Sequence, residues 1–239
     1  MSNAMKDKIF CSAVIVAAGS GKRMGADRPK QFLELCGKTI IERTAAVFGG
    51  CSAVDEIIIV SGKSGIDECR ALLSFLNKPV KYVLGGSERY ESVYNGLSAL
   101  DERCQIVIVH DGVRPFVTED IISSSVTAAE KYGACAVGVR SKDTVKICGS
   151  DGFVLSTPVR DNVYSIQTPQ TFKRDVIMKA YDYAFKNGIF GTDDSALAEN
   201  AGFRVKIIEG SYDNIKITTP DDLLVGEKIL SGGGGYKDC

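Results

Sequence analysis

The stretch Ala13-Val14-Ile15-Val16-Ala17-Ala18-Gly19-Ser20-Gly21-Lys22-Arg23-Met24-Gly25-Ala26-Asp27-Arg28-Pro29-Lys30 decides how the rest of the chain is read. Residues 13–17 form a short, β-rich apolar run, and a loop rich in glycine and positive charge follows it. Glycine permits close backbone approach and positive φ, so successive N–H groups in such a loop can point inward at an anion. Lys22, Arg23, Arg28 and Lys30 add a density of charge that suits a chain of phosphates better than a single pyrophosphate. The carboxyl end of a first strand is also where open α/β sheets bind their ligands. Two familiar glycine motifs fail. In the dinucleotide fingerprint G-x-G-x-x-G the third glycine would fall one residue before Gly25, and no G-x-x-x-x-G-K-[ST] run exists. Taken alone, the loop also reads as a basic surface turn with glycines for chain reversal.

Outward from this loop, strand-like runs alternate with helical periodicity. Residues 40–48 suit a helix, Ile57-Ile58-Ile59-Val60 a strand, 64–76 a second helix and Val80-Lys81-Tyr82-Val83-Leu84 another strand. From Glu88 onward Tyr90, Val93, Tyr94, Leu97 and Leu100 repeat at helical spacing. Ile106-Val107-Ile108-Val109 reads as a buried strand, 118–131 as a helix opened by Thr118-Glu119-Asp120, and 134–139 as a further strand. Continuous apolar strands between amphipathic helices predict an α/β protein with a mostly parallel sheet covered on both faces. The rhythm breaks at Asp143-Thr144-Val145-Lys146-Ile147 and Phe153-Val154-Leu155, which flank Gly149-Ser150-Asp151-Gly152 and read as a protruding β-hairpin arm, about 141–165. A two-stranded ribbon is marginal alone, so the arm is expected to pack on a partner, such as a second copy of the chain. Ile177, Ala180, Tyr181, Ala184 and Phe185 mark another helix, and Thr219-Pro220-Asp221-Asp222 starts the last one, with Pro at its first position. One domain is expected over 5–231, behind an expression scar at 1–4 and before a flexible tail at 232–239.

The composition excludes several classes. Across 239 residues, 44% are hydrophobic, 25% are charged and the formal net charge is −1, as in an ordinary folded protein. That balance gives no support to a nucleic-acid polymer or a membrane surface as partner. No apolar run approaches the ~20 residues that cross a bilayer, and a cytoplasmic location is expected. The eight cysteines include no C-x-x-C pair, and His110 is the sole histidine, so a tetrahedral zinc site is not expected. Cys104 and Cys135 sit in or beside apolar runs and read as buried thiols.

Residues 17–25 followed by Pro29-Lys30-Gln31-Phe32 resemble the signature of the IspD family of sugar-alcohol-phosphate cytidylyltransferases. Further blocks extend the resemblance over nearly the whole chain. They are Gly85-Gly86-Ser87-Glu88-Arg89, residues 110–115 from His110 to Pro115, Thr168-Pro169-Gln170, Thr192-Asp193-Asp194 and Asn214-Ile215-Lys216. The resemblance implies a Rossmann-like three-layer α/β/α nucleotidyltransferase fold, and transfer of CMP from CTP to methylerythritol phosphate with Mg²⁺ as cofactor. Ribitol phosphate is the alternative acceptor.

The roles of individual residues follow from the same resemblance. Arg23, Lys30 and Lys216 would be catalytic, neutralising charge on the triphosphate. Ala17, Ala18, Gly19, Gly21, Lys22, Gly86, Ser87 and Ser92 would bind CTP. Family members often carry Asp where Ser87 stands, which leaves a side-chain role at that position open. Asp111, Thr144, Arg160, Thr168 and Thr192 would bind the polyol phosphate, with Asp111 also the expected Mg²⁺ ligand. Thr144 and Arg160 lie on the arm, which in the family reaches the neighbouring subunit of a homodimer. Read alone, the threonines suit caps or strands, Ser92 a helix-surface hydroxyl, Lys216 an exposed strand lysine and His110 a structural histidine. An attacking phosphate is already anionic at neutral pH, so no general base is required.

Overall fold

The computed structural model describes residues 9–19 and 28–232. In chain order the strands are β1 (Cys11–Ala17), β2 (Glu34–Leu35), β3 (Lys38–Thr39), β4 (Glu56–Ser61), β5 (Val80–Leu84), β6 (Ile106–Asp111), β7 (Ala134–Arg140), β8 (Ile147–Cys148), β9 (Val154–Ser156), β10 (Tyr164–Lys173) and β11 (Lys206–Glu209). The helices are α1 (Ile40–Gly50), α2 (Ile66–Leu72), α3 (Arg89–Leu97), α4 (Glu119–Tyr132), α5 (Arg174–Asn187), α6 (Asp194–Asn200) and α7 (Pro220–Ser231). Seven strands form the main sheet in the order β11-β7-β10-β6-β1-β4-β5. All neighbours are parallel except β10, which runs antiparallel to both β6 and β7. A mostly parallel sheet is therefore correct, with one reversed strand inside it.

Successive side chains of a strand point to opposite faces, and here both faces are apolar. Ala13, Ile15, Ile57, Ile59 and Ile108 pack with Ile41, Phe48, Leu73 and Ile122 under α1, α2 and α4. Val14, Ile58, Val60, Val107 and Val109 face the other way, onto Val93, Leu97, Ile177, Tyr181 and Leu197 of α3, α5 and α6. These are the three layers of an α/β/α sandwich. A smaller cluster of Leu35, Ile40, Val113, Phe116, Ile217 and Leu230 seats α7 beside the β2–β3 ribbon.

Helix starts follow local chemistry. Thr39 and Glu42 form a reciprocal capping box on α1, Thr118 accepts from the Ile121 N–H at the start of α4, and Thr219 with Asp222 caps α7 behind Pro220. The second helix is shorter than its expected span of 64–76, ending at Leu72. The arm pairs only Ile147–Cys148 with Val154–Ser156, less than the expected strands. Elements β2, β3, β10, β11 and α6 had no counterpart in the sequence reading. Cys104 and Cys135 are buried free thiols as expected, and burial pushes the Cys135 thiol up to about 12.

A cation-lined candidate active site

The carboxyl ends of β1 and β6 open into one cleft. Its wall includes Ala17, Ala18 and Gly19 from β1 and its exit, Lys30 and Gln31, the Gly86-Ser87-Glu88-Arg89 turn, Ser92, Asp111 and Lys216. Gln31 is buried and its Nε2 donates to the Ala17 carbonyl at 2.7 Å, fixing the exit of β1. A Cβ on Gly85 would stand 2.4 Å from the Ala18 Cβ and 3.0 Å from Ser92 Oγ, so the second wall approaches the first at a distance only glycine allows.

The Gly86 turn is held from two sides. Ser92 Oγ accepts from the Gly86 N–H at 3.1 Å and donates to the Glu88 carbonyl at 3.1 Å. Glu91 Oε2 takes the Ser87 N–H, the Ser87 hydroxyl and the Glu88 N–H at 2.8, 2.6 and 3.2 Å. Ser92 is therefore buried rather than a helix-surface hydroxyl, and both it and the Ser87 hydroxyl shape the turn. The backbone of the turn borders the cleft.

Asp111 ends β6 and is the charged centre of the cleft. Its Oδ2 lies 2.9 Å from Lys216 Nζ and 3.5 Å from Arg114 Nε, and its Oδ1 lies 3.5 Å from Arg89 Nε. Burial would raise its pKa, but Arg89, Lys216 and Arg114 together outweigh burial and hold the carboxyl well below the usual range. Arg114 in turn donates to the Asn214 carbonyl at 2.9 Å, and Asn214 Nδ2 donates to Gln167 Oε1 and the Thr168 carbonyl. These ties set the segment that delivers Lys216.

Beneath Asp111 lies a neutral hydrogen-bond relay. The Asp111 N–H donates to Thr168 Oγ1 at 3.0 Å, which leaves the Thr168 hydroxyl to donate to His110 Nδ1 at 3.1 Å and the His110 Nε2–H to donate to the Arg114 carbonyl at 3.2 Å. His110 is fully buried and desolvation pushes its pKa down to about 4. It is a structural histidine, as expected.

The structure thus brings Ala17, Ala18, Gly19, Lys30, Gly86, Ser87, Ser92, Asp111 and Lys216 to one cleft. Thr168 sits under it, with its hydroxyl already engaged. Thr144 and Arg160 are exposed on the arm, and Thr192 is exposed one residue before the Asp193 cap of α6; none of the three lines this cleft. Gly21, Lys22 and Arg23 lie outside the described residues. Thr118, expected to open the helix over 118–131, caps α4. Arg89 closes the Gly85–Arg89 block in the sequence, but no role was expected of it. Its position at the mouth of α3, after a Gly-Gly turn, was the available signal.

Among the described residues no cluster of three or more His, Cys, Asp or Glu could hold a metal. Asp111, the expected Mg²⁺ ligand, has cations on both carboxylate oxygens. That donor set does not fit a resident divalent ion.

An α/β sheet that gathers Lys30, Lys216, Arg89 and Arg114 with one buried carboxylate at its carboxyl edge defines a phosphate-handling site of the nucleotidyltransferase class. The sequence model of the family described as IspD, 2-C-methyl-D-erythritol 4-phosphate cytidylyltransferase, matches residues 11–232. The chain belongs to this family. It is 46% identical over 222 residues to the 2-C-methyl-D-erythritol 4-phosphate cytidylyltransferase of Caldanaerobacter subterraneus, covering 92% of this chain and 98% of that one. It is 47% identical to the protein of the same name from Clostridioides difficile, covering 92% and 93%. The crystal structure of 4-diphosphocytidyl-2C-methyl-D-erythritol synthase from Anaerococcus prevotii superposes with a TM-score of 0.87 at 39% identity, over 96% of this chain and 100% of that one.

Proposed function

We propose that the protein transfers CMP from CTP to 2-C-methyl-D-erythritol 4-phosphate, giving 4-diphosphocytidyl-2-C-methyl-D-erythritol and pyrophosphate for isoprenoid synthesis. The observation that carries this reading is the Lys216–Asp111 pair at 2.9 Å, in one cleft with Lys30 and the Gly86 turn. An oxygen of the acceptor phosphate attacks the α-phosphorus of CTP in line. The new P–O bond forms as the bond to the β-phosphate oxygen breaks, and its electron pair leaves with pyrophosphate. Such a displacement needs positioning and charge neutralisation more than covalent help. Lys30 and Lys216, joined by Arg23, supply the positive charge. Small residues at Ala17, Ala18 and Gly86-Ser87 let backbone groups meet the cytosine edge, with Gly19, Gly21 and Lys22 along the phosphates. His110 is fully buried with both ring nitrogens hydrogen-bonded inside the protein, so it does not reach the substrate as a base.

Asp111 takes the polyol-phosphate side, and Thr168 supports it from below. Mg²⁺, implied by the family resemblance, is expected with CTP. The arm carries Phe153, Leu155 and Val159 at 75%, 70% and 69% exposure, which supports their burial against a second copy. In that homodimer Thr144 and Arg160 reach the partner's cleft, where Arg160 suits bidentate capture of phosphate. Thr192 completes the acceptor side. A cytoplasmic location goes with a CTP-consuming reaction.

The test crosses CTP, UTP and ATP with methylerythritol phosphate and ribitol 5-phosphate while pyrophosphate release is followed. Turnover confined to CTP with methylerythritol phosphate is expected. Turnover with ribitol phosphate alone rejects the acceptor assignment and keeps the class.

A further inference from the structure

Asp194, the first residue of α6, is completely buried although it carries a carboxylate. A charge in that position is expensive unless it is closely paired. Its Oδ1 accepts from the Tyr181 hydroxyl at 2.7 Å, and its Oδ2 accepts from Arg89 Nη2 at 2.8 Å. Tyr181 belongs to the core beneath α5, and neither it nor Asp194 lines the cleft. Arg89 does line it, and presents its Nε edge to Asp111 Oδ1 at 3.5 Å. A continuous polar line thus runs from the core, through Tyr181, Asp194 and Arg89, to Asp111 and Lys216.

Docking of α6 does not require this carboxylate. Gln170 Nε2 donates to Asp193 Oδ2 at 2.9 Å, the Ser195 N–H donates to Gln170 Oε1 at 2.9 Å, and Asp193 Oδ1 caps the Ala196 N–H at 2.8 Å. Leu197 and Ala198 add apolar packing. What Asp194 alone provides is a fixed anion for the inner edge of Arg89.

We infer that Asp194 is a positioning residue which, through Arg89, sets Asp111 and Lys216 for the acceptor phosphate. Held between two carboxylates, the Arg89 guanidinium orients one oxygen of Asp111 and leaves the other to Lys216 and Arg114. Without Asp194, the Arg89 charge loses its nearer counterion beside a site that must select among phosphates. It then collapses onto Asp111 in competition with Lys216 or captures phosphate in the wrong place. This role rests on the acceptor-side reading of Asp111 given above.

The test measures steady-state kinetics with each substrate varied separately, for the full-length protein and its Asp194→Asn, Tyr181→Phe and Leu197→Ala variants. Asp194→Asn is expected to lower kcat/KM for the acceptor by about tenfold or more, the scale of one lost charge-assisted hydrogen bond, while KM for CTP stays within about twofold. Tyr181→Phe follows the same split with a smaller loss, and decides the matter if Asp194→Asn does not fold. Leu197→Ala lowers the Tm by removing core packing in the same helix and keeps the acceptor constants. Equal losses for both substrates, or no greater acceptor loss than in Leu197→Ala, overturn the inference. Wild-type protein that turns over no acceptor sinks the parent reading instead. Even then, a crystal structure of the Asp194→Asn or Tyr181→Phe variant with Arg89, Asp111 and Lys216 undisplaced overturns the positioning role.

Discussion

Lys216 Nζ rests 2.9 Å from Asp111 Oδ2, although the two residues come from distant parts of the chain. The carboxylate holds the ammonium at the cleft, where the proposed reaction needs positive charge. Lys216→Ala is therefore expected to lower kcat on the order of 10²–10³. The Tm is expected to fall only modestly, because Arg89 and Arg114 still face the buried Asp111 carboxylate. Near-normal turnover in a pyrophosphate-release assay would remove Lys216 from the chemistry.

His110 gives a pH prediction with a definite sign. The unfolded chain protonates it near 6.5, whereas the folded protein does so only near 4. Between these values the unfolded state binds more protons, so stability is complete above about pH 6.5 and falls as pH drops toward 4. The loss amounts to at most about 3 kcal/mol. As the sole histidine, its imidazole signal can be followed by NMR, and it should not titrate above about pH 5 in the folded protein. Titration near 6.5 would contradict the buried relay with Thr168 and Arg114.

Gly85→Ala is expected to damage CTP binding selectively. The added methyl would stand 2.4 Å from the Ala18 Cβ, so the Gly86 turn and the end of β1 must separate. A rise of about tenfold in KM for CTP, with a smaller change for the acceptor, is the expected outcome by steady-state kinetics. An unchanged KM for CTP would show that the two walls do not jointly hold the nucleotide.

In the homodimer proposed above, Phe153→Asp together with Leu155→Asp should give monomers without unfolding the sheet, since both side chains are exposed within one chain. Sedimentation velocity would report the change. CTP binding should survive, while acceptor kcat/KM falls with the loss of Thr144 and Arg160 from the partner's cleft. A doubly substituted protein that stays dimeric places the interface elsewhere.

Much of the sheet was legible because its strands are apolar on both faces and its helices carry capping residues. Strand β10 was not, and its side chains explain why. Gln167, Thr168, Gln170 and Thr171 are buried in the middle of the protein, where composition predicts a loop. Each is satisfied by a distant partner, as when Thr171 donates to Ser125 Oγ at 2.8 Å and Gln167 to the Ser211 carbonyl at 2.8 Å. Such pairings have no local signature. The cleft residues were legible through the blocks that resemble the family; Ala17-Ala18-Gly19, Gly85-Gly86 and Asp111 also stand at strand ends, whereas Ser92 and Lys216 carried no such local signal. The buried charge at Asp194 was not, because an acid in a first helical turn ordinarily faces water.

The reversed direction of β10 has a geometric outcome. Strand β7 finishes at Arg140 on the same rim of the sheet as Ala17 and Asp111, and β10 sets out again from Tyr164 on that rim. Both roots of the ribbon between them are consequently planted on the rim into which the cleft opens. Had β10 run parallel to its neighbours, its first residue would stand at the opposite rim, and the ribbon would have to traverse the full height of the sheet before it ended.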